Sequence, residues 1–167
     1  MNQVLVAFGA NLGQPVHTFH SALDLLVAQE VLRAVLCSPI FSTPPVGGPT
    51  DQPEYANAVV AARTSCGPRE LMVRLLEVEK TFGRDRDREI RWGPRRLDLD
   101  LIAFGNVRCS ISGLELPHPR AHERPFVLGP SQTLPLDEIP LSIREIVRSF
   151  SSHWPKEQKG QEVFECS

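Results

Sequence analysis

Leu97-Asp98-Leu99-Asp100-Leu101-Ile102 is the sharpest chemical signal in this chain of 167 residues. The alternation predicts a strand, and residues two apart in a strand share a face. Asp98 and Asp100 therefore project together, with Leu97, Leu99 and Leu101 on the other side. Two adjacent carboxylates on an apolar strand repel each other and lose hydration, so one takes up a proton unless a cation compensates. A pair of divalent ions removes the problem. Oxygen ligands suit Mg²⁺, and two such ions clamp the attacking and leaving oxygens in phosphoryl transfer. The plainer reading of an isolated D-x-D is an edge strand whose carboxylates meet water or nearby arginines.

The neighbours of this strand favour the chemical reading. Six arginines fall between Arg84 and Arg96, against three acids. Arg meets phosphate oxygens with a planar fork of donors. Trp92-Gly93-Pro94-Arg95 brings guanidinium groups to the carboxylate strand. Pro117-His118-Pro119-Arg120 and Arg124-Pro125-Phe126 add further donors, and the prolines beside His118 fix its backbone. Acidic metal ligands beside Arg donors are equipment for binding polyphosphate. No Walker A motif, G-x-G-x-x-G or H-R-D set occurs, so a nucleotide site here is not one of the common kinds. The segment 43–54, with Pro44, Pro45, Pro49, Pro53, Gly47 and Gly48, cannot be a helix or a central strand. Its prolines preshape a pocket wall. Tyr55 and Asn57 follow at strand spacing, an aromatic and an amide that suit a flat heteroaromatic ligand; as a plain sheet residue and a turn former they would need no ligand.

Elements that could position these groups follow from periodicity. Val4–Gly9 reads as a buried strand, and Gly9–Gly13 as a turn. Pro15 opens a helix with Phe19, Leu23, Leu26 and Val27 at helical spacing. Residues 31–42 read as one extended stretch and 56–64 as a strand. A helix starts at Pro68, lined by Leu71, Leu75, Val78 and Phe82 and closed by Gly83. After the charged loop 84–96, residues 97–104 form a strand. This order is the split βαβ, ferredoxin-like α+β arrangement, an antiparallel sheet with helices packed on one face. Short helices are expected at 124–128 and 142–150. Residues 1–150 are expected to form a single domain, and 151–167 a polar tail that frays.

The net charge of −2 gives no global pull toward nucleic acid or an anionic membrane. Hydrophobic residues at 41% and charged residues at 23% are globular composition. No apolar run reaches the ~20 residues of a spanning helix. Cys37, Cys66, Cys109 and Cys166 are far apart, with no C-x-x-C pair. The expectation is a cytoplasmic protein with reduced thiols and no secretory signal.

In four blocks the chain resembles the 6-hydroxymethyl-7,8-dihydropterin pyrophosphokinases of folate biosynthesis. The blocks are Phe8 to Gly13, Ser42 to Gly47 running through Asp51 to Ala58, Arg91 to Asp100, and Leu116 to Pro119 through Arg124 to Phe126. The R-W-G-P-R-x-L-D-L-D block is the most specific. The resemblance implies transfer of the β,γ-pyrophosphoryl group of ATP to the pterin hydroxymethyl oxygen, with release of AMP. It implies two Mg²⁺ ions on Asp98 and Asp100, with Arg84 and Arg95 also in the catalytic group. ATP would be met by Glu79, Arg84, Arg91, Trp92, Arg95, His118 and Arg124. The pterin would lie between Tyr55 and Phe126, read by Asn57 and the backbone from Thr43 through Pro44 to Val46, with Trp92 on the loop that closes over it. Residues 84–94 are expected to order on ligand binding. Ala10, Phe41 and Leu76 depart from the family pattern, and the loop from Arg84 to Trp92 looks one residue longer. A monomer acting on two small molecules is expected. The alternatives are an RNA-binding ferredoxin-like module and another metal-dependent nucleotidyltransferase.

Overall fold

The computed structural model describes residues 1–85 and 93–151. Its centre is β1 (Asn2–Ala10), which pairs antiparallel with β4 (Tyr55–Thr64) on one side and β5 (Asp98–Phe104) on the other. Residues of β1 alternate between two buried faces. Val4, Val6, Phe8 and Ala10 meet α1 (Pro15–Ala28) and α2 (Pro68–Thr81) in one cluster, with the Phe8 and Phe19 rings edge to face at 5.7 Å. Each such large apolar side chain contributes about 1.5–3 kcal/mol by leaving water. The ferredoxin-like order read from the sequence is therefore present.

The last third of the chain adds a layer to that order. The opposite sheet face carries Leu5, Val59, Ala61, Ile102 and Ala103, covered by Val127 and Leu128 of α3 (Pro125–Ser131) and by Ile143 and Val147 of α4 (Leu141–Ser149). α3 covers only part of this face. The uncovered end, at the C-terminal end of β1 and the start of β4 and β5, is where the cleft lies.

The extended stretch at 31–42 divides into β2 (Arg33–Cys37) and β3 (Phe41–Thr43), both pairing with β4. Pro39 has no N–H for the ladder. Ser38 fills the gap: its N–H donates to the Val59 carbonyl at 2.9 Å, and its hydroxyl accepts from the Val59 N–H at 3.0 Å. Val27, expected on the buried face of α1, is 43% exposed; Phe19, Ala22, Leu23 and Leu26 make that face. A hairpin of β6 (Cys109–Ile111) and β7 (Leu114–Leu116) was not expected, because three-residue strands are too short to show alternation. No helix among the described residues is long and apolar enough to cross a membrane.

Candidate active site

Register builds the floor of the site. Gly9 of β1 sits between Asn57 of β4 and Asp98 of β5, and Ala7 sits between Val59 and Asp100. Small residues in the central strand leave a depression flanked by larger side chains. The result is a cleft of about 530 Å³. Tyr55 and Asn57 line it from the β4 side and Asp98 and Asp100 from the β5 side, with Val46, Arg95, Arg124 and Phe126 also on its walls. Thr43 and Pro44 also line it. A Cβ on Gly9 would lie 3.6 Å from Asn57 Oδ1 and 3.8 Å from Asp98 Cβ, which is ordinary contact. Gly9→Ala should therefore be nearly neutral for stability, whereas Gly9→Leu should fill the floor. We expect Gly9→Leu to weaken binding of a flat heterocycle by about tenfold or more, the equivalent of a lost 1.4 kcal/mol contact, with calorimetry as the measurement.

The D-x-D strand behaves as its period requires. Leu99 and Leu101 enter the core shared with α1 and α2, and Asp98 and Asp100 face the cleft. Asp98 accepts hydrogen bonds from Arg84 and, at 2.7 Å, from Arg95. Arg124 donates to Asp100 at 2.6 Å and lies over the Phe126 ring at 5.9 Å. Burial pushes the Asp98 carboxyl up, but the charges of Arg84 and Arg95 and their hydrogen bonds more than reverse this. Asp98 is thereby held below the usual carboxylate value, as an anion. The buried Nε of Arg95 has no partner among the described residues, so one donor on this side of the cleft is unclaimed. Among those residues no group of three or more His, Cys, Asp or Glu side chains converges as a metal cage.

Arg84 is set by the end of α2. Gly83, at φ +84°, donates to the Lys80 carbonyl at 3.0 Å, and the Arg84 N–H donates to the Glu79 carbonyl at 3.1 Å. This is a Schellman closure. It folds the Arg84 guanidinium back onto the Glu79 carboxylate at 2.6 Å. Glu79 also accepts the Leu99 N–H at 2.7 Å and is buried. Its carboxylate is committed to Arg84 and β5, and neither residue is among those lining the cleft.

His118 is held beside the strand by a bulge. β5 skips a partner at Ile102, since Leu5 pairs with Ala103 and Val6 with Leu101. The Ile102 carbonyl accepts the His118 N–H at 2.8 Å. His118 Nδ1 accepts the Arg120 N–H at 3.1 Å, so the neutral ring carries its proton on Nε2. Burial first, then the charge of Arg124, pushes the His118 pKa down, against the opposing pull of Asp100. The unfolded chain then binds more protons below pH 6.5, and this group's contribution to stability falls as the solution is acidified. We expect the His118 imidazole resonances to titrate below 6.5; a midpoint at or above that value would contradict the placement.

A sequence model of the 7,8-dihydro-6-hydroxymethylpterin-pyrophosphokinase (HPPK) family matches residues 5–135. The chain belongs to this family. A Pseudomonas aeruginosa protein named 2-amino-4-hydroxy-6-hydroxymethyldihydropteridine pyrophosphokinase is 39% identical, over 82% of this chain and 83% of that one. A Haemophilus influenzae protein of the same name is 37% identical, over 89% and 92%. The mitochondrial folate synthesis bifunctional protein of Pisum sativum is 36% identical over 90% of this chain, which spans 28% of that longer protein. The fold is similar to that in a crystal structure of Plasmodium falciparum HPPK-DHPS, with TM-score 0.60 and 13% identity over 89% of this chain and 43% of that one.

As a pyrophosphokinase, the chain brings together at one cleft most of the residues singled out in its sequence: Thr43, Pro44, Val46, Tyr55, Asn57, Arg95, Asp98, Asp100, Arg124 and Phe126. Arg84, Glu79 and His118 stand behind or beside it. Arg91 and Trp92, together with Arg86 and Arg88 of the same loop, lie outside the described residues. Tyr55 donates its hydroxyl to the Gly93 carbonyl at 2.8 Å, and Asn57 donates to Thr43 Oγ1 at 2.6 Å. Ser42 donates to Glu54 and closes the base of the Pro-rich loop. The residue that sequence reasoning missed is Asn11. Its Oδ1 accepts the Arg95 N–H at 2.7 Å, its Nδ2 donates to the Pro53 carbonyl at 3.1 Å, and its N–H donates to the Arg95 carbonyl at 2.9 Å. One buried amide thus joins the turn after β1 to both walls of the cleft. Arg120 and Glu123 also line the cleft, paired at 3.0 Å.

Proposed function

We propose that the chain transfers the β,γ-pyrophosphoryl group of ATP to the hydroxymethyl oxygen of 6-hydroxymethyl-7,8-dihydropterin and releases AMP. The observation that carries this reading is the shared floor: two carboxylates on the β5 side of a cleft whose β4 side carries an aromatic and an amide. The pterin would lie between Tyr55 and Phe126, with Asn57 and the segment from Thr43 through Pro44 to Val46 at its edge. Arg84, Arg95, His118 and Arg124 would serve the triphosphate, with Arg91 and Trp92 on the closing loop. Glu79, expected near ATP, is better read as the residue that positions Arg84.

The donor set fits magnesium. Mg²⁺ is commonly bound through one or two carboxylates together with substrate phosphates and water. Asp98 and Asp100 present that chemistry toward the cleft, and the unclaimed Arg95 Nε marks the same side as anion-receptive. Asp98 and Asp100 would hold two ions, which when bound neutralise charge on the triphosphate. The protein's own part is placement. Holding the pterin oxygen in line with the β-phosphorus supplies up to about 7–11 kcal/mol when geometry is ideal. The arginines offset charge that develops on the departing AMP oxygen. A loose transition state needs no early deprotonation of the alcohol. His118 offers its Nε2–H as a neutral donor.

The same reading has the protein act as a cytoplasmic monomer on two small molecules, without nucleic acid or membrane. An RNA-binding module would want an open sheet face with stacking aromatics; here one end of that face is covered by α3 and α4, and the other carries Asp98 and Asp100. Incubation with ATP, Mg²⁺ and the hydroxymethyl dihydropterin, followed by chromatography, tests the proposal. One AMP per pterin consumed is expected. Pyrophosphate in place of AMP would indicate a nucleotidyltransferase, and no turnover would overturn the reading.

A further inference from the structure

The carboxylates assigned to metal are already occupied, and by the arginines assigned to phosphate. Arg84 and Arg95 take the two oxygens of Asp98, and Arg124 takes Oδ2 of Asp100 at 2.6 Å. These contacts are partly desolvated: the Asp98 side chain is 20% exposed, and that of Arg124 19%. A guanidinium N–H and a divalent cation compete for the same oxygen lone pairs. The three guanidinium groups are balanced by Asp98, Asp100 and the Glu79 carboxylate on Arg84. A cation arriving alone would have to evict an arginine, turn this balance positive, and leave the evicted group without an anion in a low-dielectric setting. A cation arriving with a triphosphate brings that anion. The freed guanidinium then moves from a carboxylate oxygen to a phosphate oxygen and keeps a charge-assisted hydrogen bond throughout.

We propose that Arg95 and Arg124, the two of these guanidinium groups that line the cleft, determine the form of the nucleotide substrate: by capping Asp98 and Asp100 they exclude free divalent cation and yield only to a cation accompanied by polyphosphate. The inference rests on the reading of Asp98 and Asp100 as metal ligands and adds that the same arginines guard them. It predicts two effects of opposite sign from one substitution. Removing a guard should tighten binding of the metal alone while weakening binding of the nucleotide.

The test titrates the wild-type protein, Arg124→Gln and Arg95→Gln with Mn²⁺ alone, following free Mn²⁺ by electron paramagnetic resonance. At least one arginine variant should bind Mn²⁺ about tenfold tighter than wild type, the scale of one charge-assisted hydrogen bond removed from competition. A non-hydrolysable ATP analogue with saturating Mn²⁺ should bind both variants about tenfold more weakly. Adding Asp100→Asn to Arg124→Gln should erase the gain in Mn²⁺ affinity. Unchanged or weaker Mn²⁺ binding in both variants, or a gain that survives Asp100→Asn, overturns the proposal. A second measurement needs no substitution: the arginine Nε–H resonances of the wild type should shift with Mg²⁺ and the analogue together and stay in place with Mg²⁺ alone, and full shifts with Mg²⁺ alone also overturn it. AMP release by the wild type separates the two readings. A chain that makes AMP without the opposed shifts keeps its function and loses this inference; opposed shifts without AMP do the reverse.

Discussion

Asp98→Ala and Asp100→Ala are each expected to lower the rate of AMP formation by about three orders of magnitude, near 4 kcal/mol of transition-state stabilisation. Each substitution removes a carboxylate proposed to hold Mg²⁺ and also frees an arginine from its partner. The two variants separate these effects. Asp98 is bonded to the buried Arg84, so its loss should also reduce stability. Asp100 pairs with the more exposed Arg124, so Asp100→Ala should keep a melting temperature near that of the wild type and lose chemistry alone. Steady-state AMP release beside a thermal melt measures both. Turnover above a tenth of wild type in both variants would refute the assignment of the carboxylates.

Glu79→Ala is expected to be the most destabilising single change in the site. Glu79 and Arg84 are 1% and 5% exposed, and Glu79 also receives the Leu99 N–H. Removing one partner of a buried pair costs about 3–5 kcal/mol, because the other charge stays buried. Here the Asp98 carboxylate still meets Arg84, which places the loss toward the lower end. In a domain of this size that is a fall of roughly 10 °C in melting temperature. Glu79→Gln keeps an acceptor for Leu99 and should lose less. Activity should fall in both variants, since Arg84 is aimed at Asp98 through Glu79. A melting temperature within 3 °C of wild type in Glu79→Ala, roughly 1 kcal/mol, would show that the pair is not holding β5 to α2.

The sequence carries the strand chemistry clearly because a period of two is a strong local signal. Asp98 and Asp100 on one face and Leu99 and Leu101 on the other are read directly from alternation, and the structure agrees. Tyr55 and Asn57 are paired by the same rule. The long helices follow from Pro15 and Pro68 at their starts and Gly83 after the second. What periodicity could not express was decided by single polar groups. Ser38 splits one extended stretch into two strands by lending its hydroxyl to Val59. Glu79, on the buried side of α2 among Leu71, Leu75 and Val78, looks like a misplaced charge until its partners are known. Asn11 carries no periodic signal, because everything it binds outside its own turn is remote in sequence. The resemblance to a family named the cleft residues well, while the cover of α3 and α4 over the second face came from short, weakly patterned segments.

Asn11 has one more consequence, for the order in which the molecule comes together. Its side-chain partners at Gln52, Pro53 and Arg95 are 41, 42 and 84 residues away. Contacts at such separations carry a large loop-closure cost and are rewarded only after nearer elements have formed. The sheet must assemble first, with β4 and β5 flanking β1, before one amide can tie its neighbours together. A chain emerging from synthesis has nothing for the Asn11 carbonyl oxygen to accept until residue 95 exists. The substrate cleft is thus a late acquisition in folding, finished by a knot that draws on more than half the length of the chain.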